Sequence, residues 1–151
     1  MLNFTRGQWL RKAALFNDLA ASLRPHGLMP GYHAHAHDFR RFGGETAWDI
    51  FFGNTQPEVI MQLDVGNCRD AGMDPVAVLK QYPGRARTIH LKAHGGRDAI
   101  IGSDDINWKT IFEWCEGPGE TEWYVVEYEK SADPMKMARK QFEALRRMGK
   151  C

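Results

Sequence analysis

The chain has 151 residues, 43% of them hydrophobic, which suits one domain with a substantial core. Lys and Arg number 20 against 19 Asp and Glu, a net charge of +1, so no strong field argues for nucleic acid or an anionic membrane as partner. Cys68, Cys115 and Cys151 lack C-x-x-C spacing, the opening MLNFTRGQW lacks a signal-peptide core, and no run is long enough to span a membrane, so a cytoplasmic protein with reduced thiols is expected.

Trp9, Leu10, Ala13, Leu15, Phe16, Leu19, Ala20 and Leu23 recur at helical steps and predict a helix over Thr5–Arg24, stopped by Pro25 and Gly27. LMPGYHAHAHDF follows, with a strand expected from Leu28 to Ala36 that puts His33 and His35 on one face. Helical or irregular sequence through Trp48–Gly53 leads to the β-branched and apolar run Val59–Val65, which closes at Gly66 and reads as a second strand. Asp74-Pro75 opens a helix as N-cap and first residue, ending near Pro83-Gly84. Arg87–Ala93 is the third strand, Trp108–Cys115 a helix, Trp123–Glu129 the fourth strand. Asp133-Pro134 starts a last helix with Met137, Phe142, Leu145 and Met148 inward. Strands alternating with helical sequence, joined by crossovers long enough for parallel pairing, form a βαβ pattern.

Parity along the strands is more informative than their number. In the second strand Met61, Leu63 and Val65 alternate with Gln62 and Asp64. In the third, Ile89, Leu91 and Ala93 alternate with Thr88, His90 and Lys92, and in the fourth Glu127 and Glu129 share a face with Trp123 and Val125. Each strand therefore pairs an apolar face with one carrying an ionisable group near its C-terminal end: His33 and His35, Asp64, His90, Glu127. Parallel pairing brings such ends to one rim. Imidazole and carboxylate are ligands for Mn, Co, Zn or Fe, and mixed sets with open positions suit catalysis. Each group also has a plain structural reading, Asp64 as a helix cap and Glu127 as the ion-pair partner of Lys92.

The ordered strings GYHAHAHDF, QLDVGN, HLKAHGG, GSDDINW and VVEYE resemble the C-terminal half of the xylose isomerase-like TIM barrels, the sugar phosphate isomerases/epimerases and their dehydratase relatives. The resemblance implies a half TIM barrel, an α/β fold of four parallel βα units equivalent to the fifth to eighth strands, preceded by a helix. It places Asp64, His90 and Glu127 on metal-ligand positions and His33 where many relatives have a ligating Glu. His35 falls where some keep a catalytic His, Asn67 takes the place of a substrate-contacting His, and Lys92 and Arg97 are candidates for substrate hydroxyls or phosphate. The implied cofactor is one divalent ion (Mn, Co, Mg or Zn), and the implied chemistry is isomerisation or epimerisation of a carbohydrate through an enediolate. Glu127 would be the base, and His35 or Lys92 the proton donor. Dehydration of the inosose or dehydroshikimate type, or a non-catalytic barrel fragment, are the alternatives.

The sequence departs from the family pattern in three ways. Ala34 stands for the Asn of YHNH, Ala93 for the Asp of HLKD, and His33 for a Glu, which removes one of the two carboxylate bases of the epimerases. The first four βα units of a full barrel, which has eight strands and about 250 residues, are absent. Such a half would expose two unpaired sheet edges and an open inner face. Pairing with a second copy or with an N-terminal half-barrel is therefore expected.

Overall fold

The computed structural model describes residues 4–128 and 131–151; Glu129, expected at the end of the last strand, lies outside the described residues. The first helix, α1 (Arg6–Leu23), begins where expected because Thr5 and Gln8 form a capping box. Thr5 Oγ1 accepts the Gln8 N–H at 3.3 Å and Gln8 Oε1 accepts the Thr5 N–H at 2.7 Å. Trp9, Ala13 and Ala20 face inward, whereas Leu15 and Leu19, which belong to the predicted apolar stripe, are exposed.

The strands in chain order are β1 (Gly31–His33), β2 (Arg41–Phe42), β3 (Glu45–Thr46), β4 (Ile60–Asp64), β5 (Thr88–Leu91) and β6 (Trp123–Val126). Four of them make one parallel sheet in the order β1-β4-β5-β6, with Asp64 beside His90 and His90 beside Val125 in the register. All four are shorter than the sequence suggests. The Leu28–Ala36 strand ends at His33, after which the chain turns into a 3-10 helix over Ala36–Phe39 and His35 leaves the strand face. The Val59–Val65 strand ends at Asp64, whose Oδ1 accepts the Asn67 N–H at 2.6 Å and starts α3 (Val65–Asp70). Val65, Gly66 and Asn67 are therefore helical.

A hairpin of β2 and β3, turned through Gly43 at φ 68°, was not expected from the sequence. Thr46 then caps α2 (Ala47–Phe52), which buries Ala47, Trp48, Ile50, Phe51 and Phe52. Arg85 ties this helix to the sheet, since its guanidinium donates to Phe52 O at 2.8 Å and to Gln56 O and Val59 O at 2.9 Å. The helices α4 (Pro75–Gln81) and α5 (Trp108–Cys115) begin as predicted, Asp74 accepting the Val76 N–H and Asn107 the Thr110 N–H. In α6 (Pro134–Arg147) Met137 and Leu145 are buried and Met148 is partly buried, but Phe142 is 52% exposed. Gln141 is buried instead, because its amide accepts the Ile101 N–H and donates to Ala99 O, both at 2.9 Å.

The two sheet faces differ as parity requires. Met61, Leu63, Ile89 and Leu91 are fully buried toward the helices. The opposite face carries Gln62, Thr88 and His90, half-buried, and ends at β6 with Trp123 67% exposed and Val125 also exposed. Four parallel strands backed by helices on one side correspond to half the strands of an eight-stranded TIM barrel.

Candidate metal centre

The C-terminal ends of the four sheet strands converge. One ligand atom from each of His33, Asp64, His90 and Glu127 lies within 4.8 Å of the others. The rings of His33 and His90 sit with centroids 4.3 Å apart. Glu127 Oε2 is 2.7 Å from His90 Nδ1 and 3.7 Å from His33 Nε2, while its Oε1 accepts from Lys92 Nζ at 2.8 Å. Lys92 also donates to Asn67 Oδ1 at 3.3 Å, and Asn67 Nδ2 donates to Ala34 O at 3.0 Å. The Ala34 and Ala93 departures thus coexist with a network that binds Asn67 to the backbone at 34 and to Lys92. Asp64 is fully buried and serves the helix cap and the cluster together. Both plain readings of these carboxylates hold beside the constellation.

Gly66 makes the convergence possible. A Cβ at this position would lie 2.7 Å from Lys92 O and 2.8 Å from Lys92 Cγ, so the first turn of α3 rests directly on the end of β5. The sequence suggested a glycine turn, but the actual requirement is a close approach.

Electrostatics suit ligation. Burial, reinforced by the neighbouring His90, holds the His33 pKa below its ordinary value and favours the neutral imidazole. For Glu127 burial pushes upward, but the hydrogen bonds from Lys92 and His90 outweigh it and the pKa falls below the usual carboxylate value. Two imidazoles and two carboxylates form a mixed N/O set, which fits a borderline divalent ion.

The structure brings six of the predicted residues together: His33, Asp64, His90, Glu127, Lys92 and Asn67. His35 lies at the rim, its side chain 55% exposed and its ring 4.9 Å from that of His33. Arg97 occupies an exposed turn in the loop after β5. Sequence reasoning passed over the ties that hold this loop. Asp104 accepts the His94 N–H at 3.0 Å and the Trp108 indole N–H at 2.7 Å. Asp105 pairs with His94 Nδ1 at 2.7 Å and takes a forked contact from Arg69 of α3 at 3.0 and 2.6 Å. The adjacent acidic pair in GSDDINW, facing a His just past a strand, was the available signal.

Residues 5–148 match the family of xylose isomerase-like TIM barrels. The chain belongs to that family. The inosose dehydratase of Lacticaseibacillus casei is 26% identical over 157 residues, taking in 89% of this chain and 51% of that one. The inosose dehydratase of Clostridium tetani is 25% identical over 161 residues, covering 89% and 53%. A sugar phosphate isomerase/epimerase from Parabacteroides distasonis superposes with a TM-score of 0.83 at 25% identity, over 93% of this chain and 52% of its own. This xylose isomerase-like chain therefore spans about half the length of the relatives it matches.

Proposed function

We propose that this chain supplies the metal-binding half of a sugar, sugar phosphate or cyclitol isomerase/epimerase. The observation that carries the reading is the meeting of His33, Asp64, His90 and Glu127, one from the end of each sheet strand, within 4.8 Å. These four residues would hold one divalent ion, and their two imidazoles favour Mn, Co or Zn over Mg, which prefers oxygen donors. The ion, when bound, supplies Lewis-acid polarisation of a substrate carbonyl for enediolate chemistry. Glu127 is the base: the Lys92 and His90 contacts keep it ionised, the form that accepts a proton from the carbon beside a carbonyl. Lys92, its ammonium 2.8 Å from Glu127 Oε1, returns the proton. His35 is the weaker donor candidate, because its Nδ1 lies 3.8 Å from Asp38 Oδ2 at the rim. Asn67, held by Lys92 and Ala34, is placed to meet a substrate hydroxyl, and Arg97, exposed in the loop after β5, is the candidate for a phosphate.

Dehydration is the second reading, favoured by the inosose dehydratases among the relatives. The same proton removal would then be followed by departure of a hydroxyl, and the product would be lighter by one water. Metal analysis and solvent deuterium incorporation at carbon across ketoses and cyclitol ketones test both. Exchange that disappears in Asp64→Ala and His90→Ala supports the reading. Absent metal with unchanged activity in those variants ends it.

The exposed inner face and edges, with Trp123 and Val125 on β6 and Leu28 and Met29 before β1, support closure by four further βα units. Those come from a second copy or an N-terminal half-barrel, in a cytoplasmic setting that suits three free cysteines. Among the described residues no helix is long and apolar enough to cross a membrane. A well-folded monomer in sedimentation at micromolar concentration, with no tendency to pair, would remove the closure.

A further inference from the structure

The turn after β1 gathers a second set of donors. Asp38, fully buried in the 3-10 helix, lies between two exposed imidazoles: His37 Nε2 is 3.4 Å from its Oδ1 and His35 Nδ1 is 3.8 Å from its Oδ2. The His35 and His37 rings stack with centroids 5.3 Å apart, and one donor atom from each of the three residues lies within 4.8 Å of the others. Both N···O separations are too long for good hydrogen bonds, which run about 2.7–3.2 Å. Bonds of about 2.0–2.2 Å put neighbouring tetrahedral donors roughly 3.3–3.6 Å apart, so the His37 pair at 3.4 Å already has that spacing and the His35 pair at 3.8 Å is slightly wider.

We propose that His35, His37 and Asp38 form a second divalent-cation site, at the rim of the mouth and separate from the four-residue cluster. Two imidazoles and one carboxylate, with further positions open to solvent, select a borderline ion such as Zn, Co or Ni. The carboxylate is fixed before any ion arrives, because Tyr32 Oη donates to Oδ1 at 3.0 Å and the His35 N–H to Oδ2 at 2.8 Å. An ion there loses little to ordering of the ligand, and only the two ring torsions must adjust. The edge-on contact of His35 with His33 makes the two sites neighbours, so a substrate oxygen at the mouth has access to both.

The test is calorimetric titration of metal-free protein with Zn²⁺, and Co²⁺ absorption in parallel, on the full chain and two double variants. The unaltered chain takes up two equivalents, His35→Gln/His37→Gln loses one of them together with one Co²⁺ spectrum, and His33→Gln/His90→Gln loses the other. One equivalent that survives in His33→Gln/His90→Gln and vanishes in His35→Gln/His37→Gln keeps the rim site and removes the cluster as a metal centre. Uptake in His35→Gln/His37→Gln equal to that of the unaltered chain overturns the proposal, whatever the cluster does. Because His35 and His37 are solvent-facing, that variant folds, and far-ultraviolet circular dichroism verifies it.

Discussion

Gly66→Ala tests the site through its scaffold. The added methyl would sit 2.7 Å from Lys92 O. A carbon–oxygen contact relaxes to about 3.3 Å, so Lys92 must retreat by roughly 0.6 Å. A carbonyl fixed at the end of a strand cannot swing aside, so the movement is transmitted to the side chain. The Lys92–Glu127 contact, 2.8 Å now, then stretches beyond good hydrogen-bonding range. Overpacking of this kind costs about 1–3 kcal/mol, against at most about 1 kcal/mol returned by the better helix propensity of alanine. The net loss lowers Tm by roughly 2–4 °C per kcal/mol in a chain of this size. Thermal melts read that loss, and calorimetric metal binding reads the displacement of the cluster, with Gly44→Ala as control because a Cβ there meets nothing within 4 Å. A Gly66→Ala protein that melts within about 1 °C of the unaltered chain and binds metal equally well would refute the close-approach account.

Other substitutions separate structure from ligation. Asp64→Asn keeps an N-cap of similar strength and removes the charge, so Tm stays within a few degrees while metal affinity drops at least roughly tenfold; metal affinity equal to that of the unaltered chain would show that the carboxylate serves the helix alone. Gln141→Leu strands the Ile101 N–H and the Ala99 carbonyl, and urea unfolding should show a loss of about 2–5 kcal/mol. Thiol titration should find Cys151 fast and the two buried cysteines slow until unfolding, since burial raises the Cys115 thiol to about 11 and Cys68 further still.

Local chemistry was legible in the sequence; remote chemistry was not. Asp74-Pro75 and Asp133-Pro134 declared their helices because a cap acts within one turn, and the first helix was legible from its apolar period. Period-two alternation assigned Asp64, His90, Lys92 and Glu127 to one face, and parallel pairing did the rest. Strand ends were misjudged because apolar character continues through Val65 while the Asp64 carboxylate already turns the backbone. Gln141 was missed since periodicity prefers Phe142 inside, and nothing nearby in the sequence reveals that the backbone at 99–101 needs an amide. Arg85 escaped for the same reason: its acceptors lie 26 to 33 positions earlier. Gly43-Gly44 is a hairpin cue, but the strands it joins are only two residues long and carry no alternation to support it.

Of the five tryptophans, Trp9, Trp48 and Trp108 are buried, Trp114 is partly covered, and Trp123 stands in water on the concave side of the sheet. The molecule thus carries an optical tag where additional strands would lie. Its emission should shift to shorter wavelength as that side is covered, so assembly could be followed in real time without any label.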